Sequence, residues 1–371
     1  MVSEKNNPAA WVPEYIKGLV PYVPGKPIEE LERELGIKDS IKIASNENPL
    51  GPSPKAVAAI KSALLNLHRY PDGNGTFLKE GLAKKLGVKP ENIILGNGSN
   101  EVLELLAATF MVAGDEGIMS EHSFVVYSLA VESRGLKKIV TRPTQEFGHD
   151  LKAMANAITD RTRIIFIANP NNPTGTYVNQ KEFDEFLKKV PERVILAMDE
   201  AYFEFVDKND YPNALDYVKA GRKNIVTVRT FSKIYGLAGL RGGYGIADQE
   251  LVGFVNRVRQ PFNVNSLAQV AALAALDDKE HIKKTKNNNR TGMKYLEKEF
   301  NRLEVEFIPS AANFILFRSP IDAGELYQRL LRKGVIVRPM GGYKLPQWLR
   351  VTIGTAAENK RFINALTEVL E

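Results

Sequence analysis

Seven short apolar runs recur through the first two thirds of the chain, with amphipathic stretches between them. They are IILG (93–96), EGIMS (116–120), KKIVTR (137–142), RIIFIA (163–168), RVILAMD (193–199), NIVTVR (224–229) and GGYGIA (242–247). Near-continuous apolar strands alternating with helices predict an α/β fold with a mainly parallel sheet covered on both faces. SPKAVAAIKSALLNL (53–67) carries helical spacing, with Ser53 as its N-cap and Pro54 at the first helical position. Residues 251–278 read as helical with a break at Pro261, and a long helix over 278–302 leads out of this region. Beyond it, LEVEFIPSAANFILFR (303–318), GELYQRLLRKGVIVRP (324–339), WLRVTIGT (348–355) and ENKRFINALTEVL (358–370) alternate strand and helix on a smaller scale. The pattern predicts a large domain over 51–275 and a small C-terminal domain over 276–371. Residues 1–50 form an N-terminal arm and a segment of the small domain, with a short helix at Pro27–Leu35. A Pro-rich arm cannot bury itself alone and is expected on another domain or subunit.

The polar residues that close these runs carry the chemistry. GNGSNE (96–101), NPNNPTG (169–175), MDEAYF (198–203) and TFSK (230–233) each follow an apolar run. Ligands of open parallel sheets bind outside the carboxyl ends of the strands, so the four clusters are expected to converge. Lys233, with hydroxyls at Thr230 and Ser232 and a guanidinium at Arg241, suits a site that holds a carbonyl compound covalently while gripping its phosphate. Taken alone, the same Lys would be an ordinary surface residue after a strand. Asp199 closes a buried run, where a carboxylate needs a cationic or donor partner. A protonated ring nitrogen is one such partner; a helix cap or a metal are the others, and no GxxxxGK[ST] loop accompanies it. Tyr202 and Asn172 could donate to a ring oxygen, or be a core tyrosine and a turn residue. Ser99 and Asn100 open a helix whose free N–H groups form either an anion site or a plain N-cap. Phe124 could stack on a flat ring, or belong to the core.

Composition narrows the setting. The chain has 371 residues, 44% of them apolar, which suits two domains with a sizeable core. No run approaches the roughly 18 apolar residues of a membrane span, and MVSEKNNPAAWVPEY lacks the apolar core of a secretory signal. Cysteine is absent, which excludes disulfides and thiolate chemistry and makes a cytoplasmic setting the default. The net charge of +6 is modest, and HIKKTKNNNR (281–290) reads as a solvated helix face. No nucleic-acid-binding module accompanies it.

With these residues in place, the chain resembles the pyridoxal-phosphate aminotransferases of fold type I, class I/II, over nearly its whole length. Within them it is similar to the branch that acts on histidinol phosphate. The resemblance implies a seven-stranded mainly parallel sheet between helices, a smaller α/β domain, and pyridoxal 5'-phosphate as cofactor with no metal. It implies Lys233 as the Schiff-base lysine and general base, Asp199 at the ring nitrogen, and Asn172 and Tyr202 at the ring oxygen. Ser99, Asn100, Thr230, Ser232 and Arg241 would hold the phosphate, with Phe124 on the ring. Tyr70, in HRYP, matches a tyrosine that reaches the phosphate from a neighbouring subunit, so a homodimer with shared sites is expected. Tyr22 and Asn46 would border the substrate, Arg350 would take the glutamate carboxylate and Arg338 the substrate phosphate. The implied reaction exchanges an amino group between L-histidinol phosphate and 2-oxoglutarate. An aromatic-amino-acid aminotransferase and a threonine-phosphate decarboxylase share the cofactor residues and are the alternatives.

Overall fold

All seven apolar runs join one sheet. In the computed structural model, which describes residues 7–22 and 24–371, they are β1 (Ile93–Asn97), β2 (Glu116–Ser120), β3 (Lys137–Thr141), β4 (Thr162–Ala168), β5 (Ile195–Asp199), β6 (Ile225–Thr230) and β7 (Gly242–Ile246). Their order is β1-β7-β6-β5-β4-β2-β3. Neighbours run parallel except at β7, which is antiparallel to both β1 and β6. The central strands are dry on both faces. Phe166 and Ala197 point into a cluster with Val102, Leu106 and Tyr127. Ile165, Ile167, Leu196 and Met198 point the other way, against Phe183 and Phe186. Alternate side chains of one strand therefore enter two cores, which is why these runs are apolar throughout instead of alternating.

Helices form where the pattern predicts them. α1 (Ile28–Leu35) and α2 (Pro54–Ala63) fall on the expected stretches, and the Ser53 hydroxyl accepts from the Ala56 N–H at the start of α2. α3 (Ser99–Phe110) and α4 (Val125–Glu132) follow β1 and β2. The helix Gln249–Val258 ends before Pro261, and α5 (Ser266–Leu276) restarts under an Asn265 cap. Buried Ala271, Ala272 and Ala275 keep the α5 surface thin where it packs beside Ala56 of α2. α6 (Lys279–Arg302) is the long connecting helix.

A second, antiparallel sheet follows: β8 (Phe307–Ile308), β9 (Phe314–Arg318), β10 (Arg338–Pro339) and β11 (Trp348–Thr352), in the order β10-β11-β9-β8. Its core gathers Phe300, Phe317, Leu349 and Phe362 together with Ile43 from the other end of the chain. Ile41 and Lys42 pair parallel with Val335 and Ile336, and the Thr352 N–H donates to the Ile43 carbonyl at 2.8 Å. On this basis we propose that the small domain comprises residues 276–371 plus a segment of 1–50, with the large domain over 51–275. Met1–Asn6 and Val23 of the arm lie outside the described residues.

Candidate active site

The carboxyl ends of β4, β5 and β6 and the start of α3 open into one cavity of about 270 Å³. Every residue singled out from the sequence lines it, with the exception of Tyr70.

Lys233 follows β6, and its Nζ donates to the Ser45 carbonyl at 3.1 Å and lies 5.6 Å from the Tyr202 ring centre. Burial, then the nearby Arg350 guanidinium, push its amine down to about 8. Asp199 is 4% exposed. Its Oδ2 accepts from the Tyr127 hydroxyl at 2.8 Å and its Oδ1 from the Ala201 N–H at 3.1 Å. Desolvation still dominates and pushes the carboxyl up to about 6. Among the described residues no Lys or Arg stands within ion-pair distance of Asp199. A buried carboxylate aimed into a cavity without a cation of its own fits a ligand that brings a protonated nitrogen.

The phosphate side is built from glycines as much as from donors. The register pairs Asn97 with Gly242 and Thr230 with Gly243, which brings the start of β7 onto the N-terminus of α3. A Cβ at Gly243 would sit 2.2 Å from the Ser99 nitrogen, and one at Gly98 would sit 2.5 Å from Arg241 Nη2. Backbone stands in the way at Gly243 and Gly98 has φ 82°, so glycine suits both positions. Arg241, in the left-handed conformation at φ 59°, thereby lies over the first turn of α3. The Thr230 hydroxyl donates to Ser232 Oγ at 3.0 Å and accepts from the Ser232 N–H at 3.1 Å. Two hydroxyls, a guanidinium and the N–H groups of a twelve-residue helix make a donor set that fits a phosphate.

Across the cavity stands a wall built mostly by the small lobe. Asn46, at φ 56°, donates from Nδ2 to the Tyr202 hydroxyl at 2.9 Å, which leaves that hydroxyl's own proton available to a ligand. Burial pushes the Tyr202 phenol up to about 12. Arg350, 6% exposed, donates from Nη2 to the Ala44 carbonyl at 2.9 Å and from Nη1 to Asn172 Oδ1. Asn172 accepts through its oxygen, so its Nδ2 donors remain for a ligand. Arg350 Nε is buried with no acceptor among the described residues. Arg338 is the cross-strand register partner of Arg350 on β10 and β11, and its guanidinium lies 5.3 Å from the Tyr22 ring. Lys344, the one basic residue of the loop 340–347 between β10 and β11, pairs with Glu121 at 2.7 Å. Phe124 lines the cavity at the entrance to α4.

Tyr70 is 83% exposed and stacks on Phe262 with centroids 4.8 Å apart, outside this cavity. Among the lining residues that went unread in the sequence are Glu47, Tyr127 and Tyr343. Tyr127 had a signal, since it lies three residues after Phe124 on the same helical face.

Several known proteins are similar to this chain over nearly its whole length. The family model for aminotransferase class I and II matches residues 38–366. A histidinol-phosphate aminotransferase of Moorella thermoacetica is 53% identical over 366 residues, spanning 98% of this chain and 95% of its own. Histidinol-phosphate aminotransferase 2 of Pseudomonas fluorescens is 50% identical over 357 residues, 96% of each chain. Among solved structures, the histidinol-phosphate aminotransferase of Sinorhizobium meliloti in complex with pyridoxal-5'-phosphate matches at TM-score 0.88 and 27% identity, over 96% of each chain. The chain therefore belongs to the aminotransferase class I and II family and is an enzyme that transfers amino groups.

Proposed function

We propose that this enzyme exchanges the amino group between L-histidinol phosphate and 2-oxoglutarate, giving imidazole-acetol phosphate and glutamate, with pyridoxal 5'-phosphate as cofactor. The step belongs to histidine biosynthesis. The observation that carries the reading is the direct pairing of Arg338 with Arg350 at one wall of the cavity that holds Lys233. Like charges opposed across a strand pair are unfavourable, and an anionic ligand between them offsets the cost. A guanidinium suits carboxylate and phosphate alike. Arg350 takes the carboxylate of glutamate, and Arg338 the phosphate of the other substrate. Two relatives about half identical to this chain carry the corresponding name.

When bound, the cofactor supplies an electron-withdrawing ring that stabilises negative charge at the substrate Cα. Lys233 would hold the cofactor covalently and, once the substrate amine displaces it, would move the Cα proton as a free amine. An amine pushed down to about 8 can take and return a proton near neutral pH. Asp199 holds the ring nitrogen, Asn172 and Tyr202 donate to the ring oxygen, and Phe124 covers the ring face. Ser99, Asn100, Thr230, Ser232 and Arg241 bind the phosphate. Tyr22 and Asn46 border the substrate. Tyr70 serves the site of a second copy of the chain. A homodimer is supported by the exposed apolar surface that Leu64, Leu65 and Leu67 form close to Tyr70 in sequence. We place the enzyme in the cytoplasm; among the described residues no helix is long and apolar enough to cross a membrane.

Purified enzyme with 2-oxoglutarate should give a higher kcat/KM for histidinol phosphate than for phenylalanine. Preference for phenylalanine would make it an aromatic-amino-acid aminotransferase. Carbon dioxide release from threonine phosphate without 2-oxoglutarate would make it a decarboxylase.

A further inference from the structure

Tyr127 is wholly buried, and its hydroxyl makes its bond to a charged group already costly to bury. The ring is fixed on two sides. It stacks on Phe166 with centroids 5.1 Å apart and planes 11° from parallel, and meets Phe124 edge-on at 6.0 Å. The hydroxyl thus reaches Asp199 Oδ2 from a rigid platform at 2.8 Å, while the Ala201 N–H holds Oδ1 at 3.1 Å. One donor on each oxygen fixes the plane of the carboxylate and leaves a lone pair on each for a ligand. The remaining charged neighbours of Asp199 do not perform this task. Glu200, next in the chain, repels it and is itself paired to Arg229 at 2.7 Å; Lys233 attracts it from across the cavity. Tyr202, also near, accepts from Asn46 and keeps its own proton for the ring oxygen assigned to it above.

We propose that Tyr127 is a positioning residue of the reaction: its hydroxyl holds the Asp199 carboxylate, in orientation and in charge, for the cationic ring nitrogen of the cofactor. The proposal rests on the assignment of Asp199 above. It also links two walls of the site, because the same ring abuts Phe124, the residue assigned to the ring face. Without the hydroxyl, Asp199 keeps one donor in a desolvated place and binds a proton more readily. A neutral carboxylic acid then serves a cationic nitrogen poorly.

Tyr127→Phe removes one oxygen and preserves both ring contacts. In the cofactor-free protein, the infrared carboxyl band that Asp199→Asn abolishes should titrate about one pH unit higher in Tyr127→Phe, as expected for a lost hydrogen bond to a buried charge. In the presence of pyridoxal 5'-phosphate, the variant should bind about tenfold more weakly and show a lower kcat with little change in KM. The same substitution in an Asp199→Asn background should weaken cofactor binding no further, because an effect carried through Asp199 vanishes when Asp199 is gone. An unchanged carboxyl titration overturns the proposal, as does a loss of affinity that persists in the Asp199→Asn background, which would mark a packing role. If Tyr127→Phe does not fold, the double variant decides: a fold restored by Asp199→Asn supports the link, and one not restored overturns it. Wild-type protein that fails to bind pyridoxal 5'-phosphate refutes the cofactor assignment instead, whatever the infrared titration shows.

Discussion

Replacing Arg338 by Gln tests the substrate assignment most directly. The shorter side chain keeps its hydrogen-bonding ability but loses the charge that would face a phosphate. A hydrogen bond to a charged group contributes about 1.5–3 kcal/mol, and about 1.4 kcal/mol is a factor of ten. Loss of kcat/KM for histidinol phosphate should therefore be roughly 10- to 150-fold. The stability terms largely cancel. Removing one of two opposed guanidiniums relieves about 0.2–1 kcal/mol of repulsion, while the lost stacking on Tyr22 costs about 0.5–1 kcal/mol. Tm should stay within about 2 °C of wild type. The assay compares histidinol phosphate with histidinol, which lacks the phosphate, under the same 2-oxoglutarate concentration. Arg338→Gln should collapse the preference for the phosphorylated donor and leave histidinol nearly unaffected. An equal loss for both donors would refute phosphate recognition by Arg338.

Three buried charged sites, at Lys233, Asp199 and Glu200, give the remaining outcomes. Lys233→Ala should abolish turnover and the visible absorbance that appears on adding pyridoxal 5'-phosphate; an unchanged spectrum contradicts its covalent role. Because the Lys233 amine is pushed down to about 8, the rate of cofactor incorporation should climb as pH rises towards 8 and level off above it, and a plateau reached only near 10.5 would disprove the shift. Asp199→Asn should retain cofactor and lose most of the rate. In the cofactor-free state the Asp199 carboxyl is raised from 3.8 to about 6, so its folded form holds a proton that the unfolded chain releases, and stability falls as pH rises from about 4 to 6. Asp199→Asn should then raise cofactor-free stability at pH 7 by up to about 3 kcal/mol and by nothing below pH 4, as denaturant melts would reveal. Glu200→Ala strands Arg229, 3% exposed and stacked 3.7 Å from the Phe203 ring centre, without its ion-pair partner. Equilibrium unfolding should show a loss of about 3–5 kcal/mol, and a loss near zero would mean that Arg229 reaches water.

Much of this protein is legible in one dimension because its chemistry sits where local signals are strongest. The seven strands are short apolar runs bounded by polar clusters, and burial on both faces makes them continuous, so their positions needed no contact information. Lys233, Asp199, Asn172 and Ser99 stand next to strand ends, and the rule that ligands gather there converts sequence position into proximity. The antiparallel insertion of β7 was less visible, since GGYGIA reads like any buried run. Its direction depends on the turn around Arg241 and on glycines whose need appears only when β7 meets α3.

What the chain alone determined was the identity of the groups: an amine, a buried acid, hydroxyls, two arginines and a helix terminus, each placed by local periodicity and turn chemistry. What only the tertiary structure decided was which of them face each other. Arg338 and Arg350 become a pair through the register of β10 on β11, a choice made by strand pairing and not by spacing. Asn46 meets Tyr202 across 156 residues because Ile43 enters the core of the small lobe. Tyr127 drew no reading from the sequence; the packing of α4 on β4 and β5 aims its hydroxyl at Asp199. Periodicity tells which face of an element is buried; only long-range packing tells what that face meets.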